Sequence, residues 1–176
     1  VCPLARPSPN AFHAAAAALI LLAWPDHASP AGKPDSCTVC HLEIEGATHG
    51  PATLFKEDIH FQRGLACMDC HGGDPAAEDQ EAAMDPKKGY IGSPSPKDVP
   101  KFCARCHADP SYMRRYNPNL PTDQYAKYLS SEHGKGSAAG AAGSAVCSSC
   151  HGAHGIRSKK DPFSPAYPTN IPGMCA

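Results

Sequence analysis

Four pairs of cysteines, each followed directly by a histidine, are the residues in this sequence best arranged to do chemistry. The motifs are Cys37/Cys40 with His41, Cys67/Cys70 with His71, Cys103/Cys106 with His107, and Cys147/Cys150 with His151. Cysteines at i and i+3 and a histidine at i+4 share one face of a helical turn. The two thiols can bond to the vinyl groups of one porphyrin, while the imidazole binds its iron. Because C-x-x-C-H is the attachment signature of c-type haem, the sequence predicts four covalent haem c groups.

Three other uses of paired cysteines fit this pattern less well. Zinc ribbons separate their two pairs by about 15–20 residues, whereas residues 41–66 put 26 residues between the first two pairs here. Thioredoxin-like sites need one pair in a βαβ setting, not four pairs in proline- and glycine-rich sequence. A disulfide scaffold gives no reason for a histidine after every second cysteine.

Four further histidines could supply the sixth ligands of the irons. They are His49, His60, His133 and His154. Their number matches that of the motifs, so we expect bis-histidine iron, although a lone spare histidine is more often a surface residue. Met84 and Met113 are rival axial ligands, but methionine more often fills a core. His154 follows His151 too closely to turn onto the same iron, so we expect it to serve a neighbouring haem.

The segment before His133 indicates how that histidine is positioned. Thr122 can cap a helix and Gly134 can end it, which predicts one helix over residues 122–134. Tyr125, Leu129 and His133 share a face of this helix. We expect that face to pack on a porphyrin and to present His133 from the last turn.

The motifs occur twice in the same order, which predicts two similar dihaem modules. Module A, residues 37–73, and module B, residues 101–155, each hold a C-x-x-C-H, a His-Gly and a second C-x-x-C-H-G. The proline-rich linker 85–100 is expected to be extended. The tract GKGSAAGAAGSA at residues 134–145 is expected to be a flexible insertion in module B.

A fifth motif is expected to begin at Cys175. The pattern [VI]-P-x-[FM]-C-A opens module B at residues 99–104 and recurs at residues 171–176. Cys175 would then be the first cysteine of a further C-x-x-C-H that runs past the end of the sequence. The alternative is a free Cys175, or one that forms a disulfide with Cys2.

Residues 1–31 are expected to be a secretory signal. Residues 14–24 are apolar, follow Arg6 and precede small residues that allow cleavage after Ala31. Eleven residues span about 16 Å as a helix, against a bilayer core of about 30 Å. We therefore expect no stable membrane span and an exported protein, in the periplasm or at the cell surface. The alternative is a buried alanine-rich helix.

Composition and charge narrow the function further. Aromatic residues make up 7% of the sequence and mean hydropathy is −0.38, so large side chains are too few for an ordinary core. Residues 35–85 hold 11 acidic and 2 basic side chains, and residues 86–176 hold 12 basic and 5 acidic. This asymmetry could orient charged redox partners, or the basic residues could neutralise haem propionates. With a net charge of −1 and no recognition motif, nucleic-acid binding is not expected.

The chain resembles the multihaem c-type cytochromes of anaerobically respiring bacteria, in the broad cytochrome c3-like class. The resemblance is carried by the four motifs, by CMDCHGG at residues 67–73 and by CSSCHGAHG at residues 147–155. It implies a mostly irregular, haem-cored fold with short α-helices and little β-structure. It also implies electron transfer toward metal oxides, nitrogen oxides or sulfur compounds.

We therefore expect an electron carrier in anaerobic respiration, with four bis-histidine haem c groups and no catalytic residue. Its partners would be redox proteins, including other cytochromes, or extracellular acceptors. One alternative is a fragment of a multihaem oxidoreductase acting on a small nitrogen or sulfur compound, which needs an iron with an open site. Others are a quinol-oxidising membrane-linked cytochrome, which needs an anchor, and a subunit of a conducting filament.

Overall fold

The protein is a chain of short helices joined by turns and irregular segments. The computed structural model describes residues 35–46 and 49–175, so the expected secretory segment lies outside the described residues. The α-helices are α1 Ser36–Glu43, α2 His49–Phe55, α3 Ile59–Gln62, α4 Cys67–His71, α5 Gln80–Ala83, α6 Val99–His107, α7 Pro110–Met113, α8 Gln124–Ser130, α9 Glu132–Ala138, α10 Cys147–His151 and α11 Ile171–Cys175. Two 3₁₀-helices span Pro86–Lys88 and Pro96–Asp98. The described ranges contain no strand, and the predicted fold class is confirmed.

None of the helices within the described ranges is long and apolar enough to cross a bilayer.

Aspartate side chains start several of these short helices. Asp35 accepts a hydrogen bond from the Thr38 N–H at 2.7 Å, and Asp79 accepts one from the Ala82 N–H at 2.8 Å. Such caps satisfy amides that have no partner within the first turn. Because most of these helices are a single turn or two, local caps and tertiary contacts stabilise them more than helix propagation does.

The side-chain core is very small. Among the described residues, the buried hydrophobic side chains are Leu65, Met113 and Val146. Large apolar side chains lie exposed instead: Val39, Ile44, Leu54, Phe61, Met68, Ile91, Leu120, Leu129, Phe163 and Ile171. Burial of three side chains is far too little to offset the conformational entropy of ordering the chain. An additional apolar component is needed to complete the core.

The predicted single helix over residues 122–134 is wrong. The chain leaves the helical conformation at Ser131, whose φ and ψ are −76° and 163°. Its hydroxyl donates to the Tyr128 carbonyl oxygen at 2.6 Å and accepts from the Gly134 N–H at 3.1 Å. Ser131 thus ends α8 and caps α9. His133 lies in the first turn of α9, not in the last turn of a longer helix.

Gly134 and its surroundings also differ from expectation. Gly134 lies inside α9 and is buried, and a Cβ there would overlap the Tyr128 carbonyl oxygen. This close approach, and not a helix end, requires glycine. Since α9 runs to Ala138, the first part of the tract at residues 134–145 is helical and not flexible coil.

The linker at residues 85–100 is not extended throughout. Both 3₁₀-helices lie in it, and α6 begins before it ends. Pro86 and Pro96 occupy the first position of their 3₁₀-helices, where proline's missing N–H has no cost. Asp85 accepts from the Lys87 N–H at 2.8 Å and starts the first of them.

Candidate metal centres

All four C-x-x-C-H motifs lie on helices. They occupy α1, α4, α6 and α10, so each histidine lies one turn after the first cysteine of its motif. This is the geometry that the spacing predicts, with two thiols and an imidazole on one face of a turn.

The helices α4 and α10 are built in the same way. In α4 the Asp69 carboxylate accepts from the Ala66 N–H at 2.7 Å, and in α10 the Ser149 hydroxyl accepts from the Val146 N–H at 3.0 Å. Each helix ends at a glycine with positive φ, 70° at Gly72 and 77° at Gly152. The second motif of each predicted module therefore has the same local architecture.

The first cysteines of neighbouring motifs lie close together. Cys67 is near Cys37, and its Sγ lies 3.7 Å from the Thr38 hydroxyl. Burial raises the pKa of Cys37 to about 11, with help from Asp35 and Cys67. Contact with Cys147, together with burial, raises the pKa of Cys103. The same contact lowers the pKa of Cys147.

Two pairs of histidine rings face each other across the molecule. The ring centres of His60 and His107 are 5.8 Å apart, with an interplanar angle of 85°. Those of His71 and His154 are 6.0 Å apart, with an angle of 19°. Two imidazoles that bind one metal ion from opposite sides, each about 2 Å from nitrogen to metal, have centres roughly 6 Å apart. Both pairs have the spacing of a metal bound between two histidines.

Ordinary aromatic pairs span about 4.5–7 Å, so spacing alone does not single out a metal site. The hydrogen bonds of the ring nitrogens add a second criterion. His60 Nδ1 lies 2.8 Å from a carboxylate oxygen of Asp58, and His71 Nδ1 lies 2.9 Å from the Gly92 carbonyl oxygen. Because these oxygens only accept, each Nδ1 donates, and Nε2 is the ring nitrogen left to bind a metal.

The other two rings of these pairs are held in the neutral form. Burial lowers the pKa of His107, and nearby His60 and His151 lower it further. Burial also lowers the pKa of His154, with a contribution from His71. Neutral imidazole is the form that binds a metal.

Both pairs connect distant parts of the chain. His60 lies in residues 37–73 and faces a histidine of residues 101–155, while His154 lies in residues 101–155 and faces a histidine of residues 37–73. Each of these two segments therefore places one histidine beside a motif histidine of the other segment.

The remaining four histidines are placed differently. His49, His133 and His151 are exposed and His41 is half-buried. We find no ring-to-ring contact of this kind among these four, all of which lie in the described part of the chain. His49 Nδ1 lies 3.1 Å from the Leu42 carbonyl oxygen, so Nε2 is again the ring nitrogen left to bind a metal.

Sequence reasoning missed Asp58. Its side chain is 1% exposed, and its Oδ2 accepts from the Ile156 N–H at 2.8 Å. Burial alone would raise the pKa of Asp58, but hydrogen bonds from His60 and Ile156 hold it below its usual range. An aspartate at a helix start two residues before a histidine was the available signal.

Sequence reasoning also missed the contact between α4 and α6. The Phe102 ring centre lies 6.0 Å from that of His71. The Arg105 guanidinium lies 4.3 Å from the Phe102 ring centre and donates to the Cys70 carbonyl oxygen at 2.7 Å. This cation–π and hydrogen-bond contact joins the second motif to the third.

The residues present fit covalent haem c. Thiol pairs and an imidazole share a helical face, four histidines are paired at a spacing that suits a metal, and apolar side chains lie exposed around a minimal core. A porphyrin would bind the first two sets and cover the third.

Comparison with known proteins agrees with this chemistry. The family model described as cytochrome c3 matches residues 59–164, more than half of the chain. The C-type polyheme cytochrome OmcC of Geobacter sulfurreducens is 24% identical over 102 residues. That match covers 57% of this chain and 13% of OmcC, so the chain spans a small part of that relative. No solved structure matches.

Proposed function

The chain belongs to the cytochrome c3 family, and from this premise we propose that it relays electrons in anaerobic respiration through four bis-histidine haem c groups. Membership makes it a multihaem c-type cytochrome, with covalent haem c as cofactor and electron transfer as function. The haem number, the ligand set and the physiological setting are the proposal. The observation that carries it is the pair of facing histidine couples, at 5.8 and 6.0 Å.

We assign two complete ligand sets from these couples. His107 and His60 bind one iron, and His71 and His154 bind another. His41 and His151 are the proximal ligands of the other two irons. By number, His49 and His133 are the remaining sixth ligands. The Nδ1 of His49 is occupied by the Leu42 carbonyl oxygen, which leaves Nε2 for this role, and His133 is exposed and accessible.

The role of the protein is to hold the haem groups and to set their reduction potentials. When bound, haem supplies one-electron redox chemistry. The motif cysteines Cys37, Cys40, Cys67, Cys70, Cys103, Cys106, Cys147 and Cys150 anchor it. Two imidazoles per iron, without methionine, favour low reduction potentials.

The proposed architecture is two dihaem modules that exchange ligands. The matching caps of α4 and α10 support the repeat. The reciprocal couples support the exchange, since each module supplies a sixth ligand to the other. Such an exchange brings the haems of both modules into one cluster, which suits a relay.

Partners and location follow from charge and family. Cytochrome c3-like proteins are typically exported, and we propose a periplasmic or cell-surface location with residues 1–31 as the secretory signal. The acidic residues 35–85 and basic residues 86–176 are proposed to orient docking with other cytochromes or extracellular acceptors.

Haem counting tests the proposal. The exported holoprotein, produced with c-type haem maturation and cleaved after Ala31, should have the intact mass of residues 32–176 plus four haems. A Cys147→Ser/Cys150→Ser variant should lose one haem. As matched control, Cys175→Ser replaces an exposed cysteine outside the four motifs and should lose none. Fewer than four haems on the unmodified chain would contradict the proposal.

A further inference from the structure

Asp58 is the most deeply buried charged side chain among the described residues, at 1% exposure. Its Oδ1 accepts from both the backbone N–H and the Nδ1–H of His60, each at 2.8 Å. Its Oδ2 accepts from the Ile156 N–H at 2.8 Å. The carboxylate therefore has three donors, one of which is an imidazole.

These donors come from the two segments that carry the facing histidines. Ile156 lies two residues after His154, and its carbonyl oxygen accepts from the Ile59 N–H at 2.8 Å. Asp58 and Ile59 thus form a two-residue bridge to the segment of His154. Gly155, which lies between His154 and Ile156, packs against Leu54, and a Cβ added to this glycine would lie 3.5 Å from Leu54. One carboxylate lies at the junction of both segments.

No basic side chain neutralises this carboxylate in the described part of the chain. The titratable side chain that contacts it there is His60, which donates through Nδ1–H. Arg157, which follows Ile156, pairs with Glu57 and Asp161 instead. The negative charge of Asp58 therefore acts mainly on the His60 imidazole.

We propose that Asp58 is a positioning residue that fixes both His60 and His154 and lowers the reduction potential of the iron that His60 binds. This rests on the proposed function, because it needs the facing histidines to be iron ligands. An anionic acceptor on Nδ1–H makes the imidazole a stronger donor at Nε2. A buried negative charge also stabilises Fe(III) over Fe(II), which carries one positive charge less.

An Asp58→Asn variant tests this by potentiometry and electron paramagnetic resonance. The side chain keeps its size, but it loses its charge and presents an amide donor to one of its former partners. We expect four haems, and a reduction equilibrium constant about tenfold larger for at least one of them. Tenfold corresponds to about 59 mV for one electron, toward positive potential. The g-values of that haem should move as well, a change that mere loss of stability would not cause.

Two further variants make the result specific. Asp79→Asn changes another helix cap, whose carboxylate accepts from the Ala82 N–H with no histidine partner, and should leave every potential unchanged. Asp58→Glu keeps the charge and should shift the potential less than Asp58→Asn does. Unchanged potentials in Asp58→Asn, or equal shifts in Asp58→Asn and Asp58→Glu, would overturn the proposal. If Asp58→Asn does not fold, Asp58→Ser keeps a good helix cap without charge and must show the shift.

The proposed function and the role of Asp58 can be refuted separately. If the unmodified protein lacks four low-spin haems, the proposed function fails whatever the variants do. If it has them and Asp58→Asn leaves potentials and g-values unchanged, only the role of Asp58 is refuted.

Discussion

Replacing His60 with alanine should convert one haem in four from low-spin to high-spin iron. The ring of His60 lies 5.8 Å from that of His107, on the far side of the proposed iron site. Without it, His107 alone of this pair would hold the iron proposed there, and that iron would have an open position. In the proposed four-haem arrangement the other three irons would keep both histidines, so a quarter of the iron should change spin state.

The same change should also lower the free energy of unfolding. The Asp58 carboxylate, 1% exposed, loses one of its three hydrogen bonds. A hydrogen bond to a charged group contributes about 1.5–3 kcal/mol. Chemical denaturation followed by the Soret band should show a loss of this size.

The assay is electron paramagnetic resonance of the oxidised variant, with haem quantified in the same sample. Added imidazole should fill the site and restore the low-spin signal. Phe61→Ala is the matched control, because Phe61 is the next residue on α3 and is 49% exposed; it should stay fully low-spin. A His60→Ala/His154→Ala double variant should reach half high-spin, since the two histidines face different partners. A fully low-spin His60→Ala protein, or a double variant that stops at one quarter, would refute the ligand pairing.

Three other outcomes are expected. Gly134→Ala should destabilise the protein by about 1–3 kcal/mol, because the added Cβ would overlap the Tyr128 carbonyl oxygen. The control Gly173→Ala adds a Cβ with no neighbour within 4 Å and should be near neutral. Thermal melting compares the stability of the two variants. A chain with all eight motif cysteines changed to serine should show no cooperative melting by circular dichroism, since its side-chain core is three residues, and a cooperative transition would contradict the haem-cored fold. Stopped-flow electron exchange with one acidic and one basic redox protein should slow in both cases as ionic strength rises, and rates independent of salt would argue against docking by charge.

The local features of the fold could be predicted from the sequence because they depend on neighbouring residues. The spacing of Cys67, Cys70 and His71 places them on one helical turn, which the structure contains. The expectation that His154 serves a haem other than that of His151 agrees with its position beside His71, and the ligand role stays a prediction. The cytochrome class of the chain was also evident from its motifs, and the family match confirms it.

The features that could not be predicted depend on competition between a helix and a side-chain cap, or on contacts between residues far apart in the sequence. The cap at Thr122 and the stop at Gly134 favoured one helix through Ser131, but the serine hydroxyl offers the backbone a cap that ends α8 and starts α9. The pairing of His60 with His107 depends on tertiary packing, which no local pattern encodes. The bond from Ile156 to Asp58 spans 98 residues, so the burial of Asp58 could not be inferred from its neighbours.

The most direct test of the account is the spin state of the oxidised, exported protein, measured by electron paramagnetic resonance with haem quantified in the same sample. Four haems per chain, all low-spin, are expected if two histidines bind every iron as proposed. A high-spin fraction near one haem in four would contradict the account and would place an open, reactive iron in this chain.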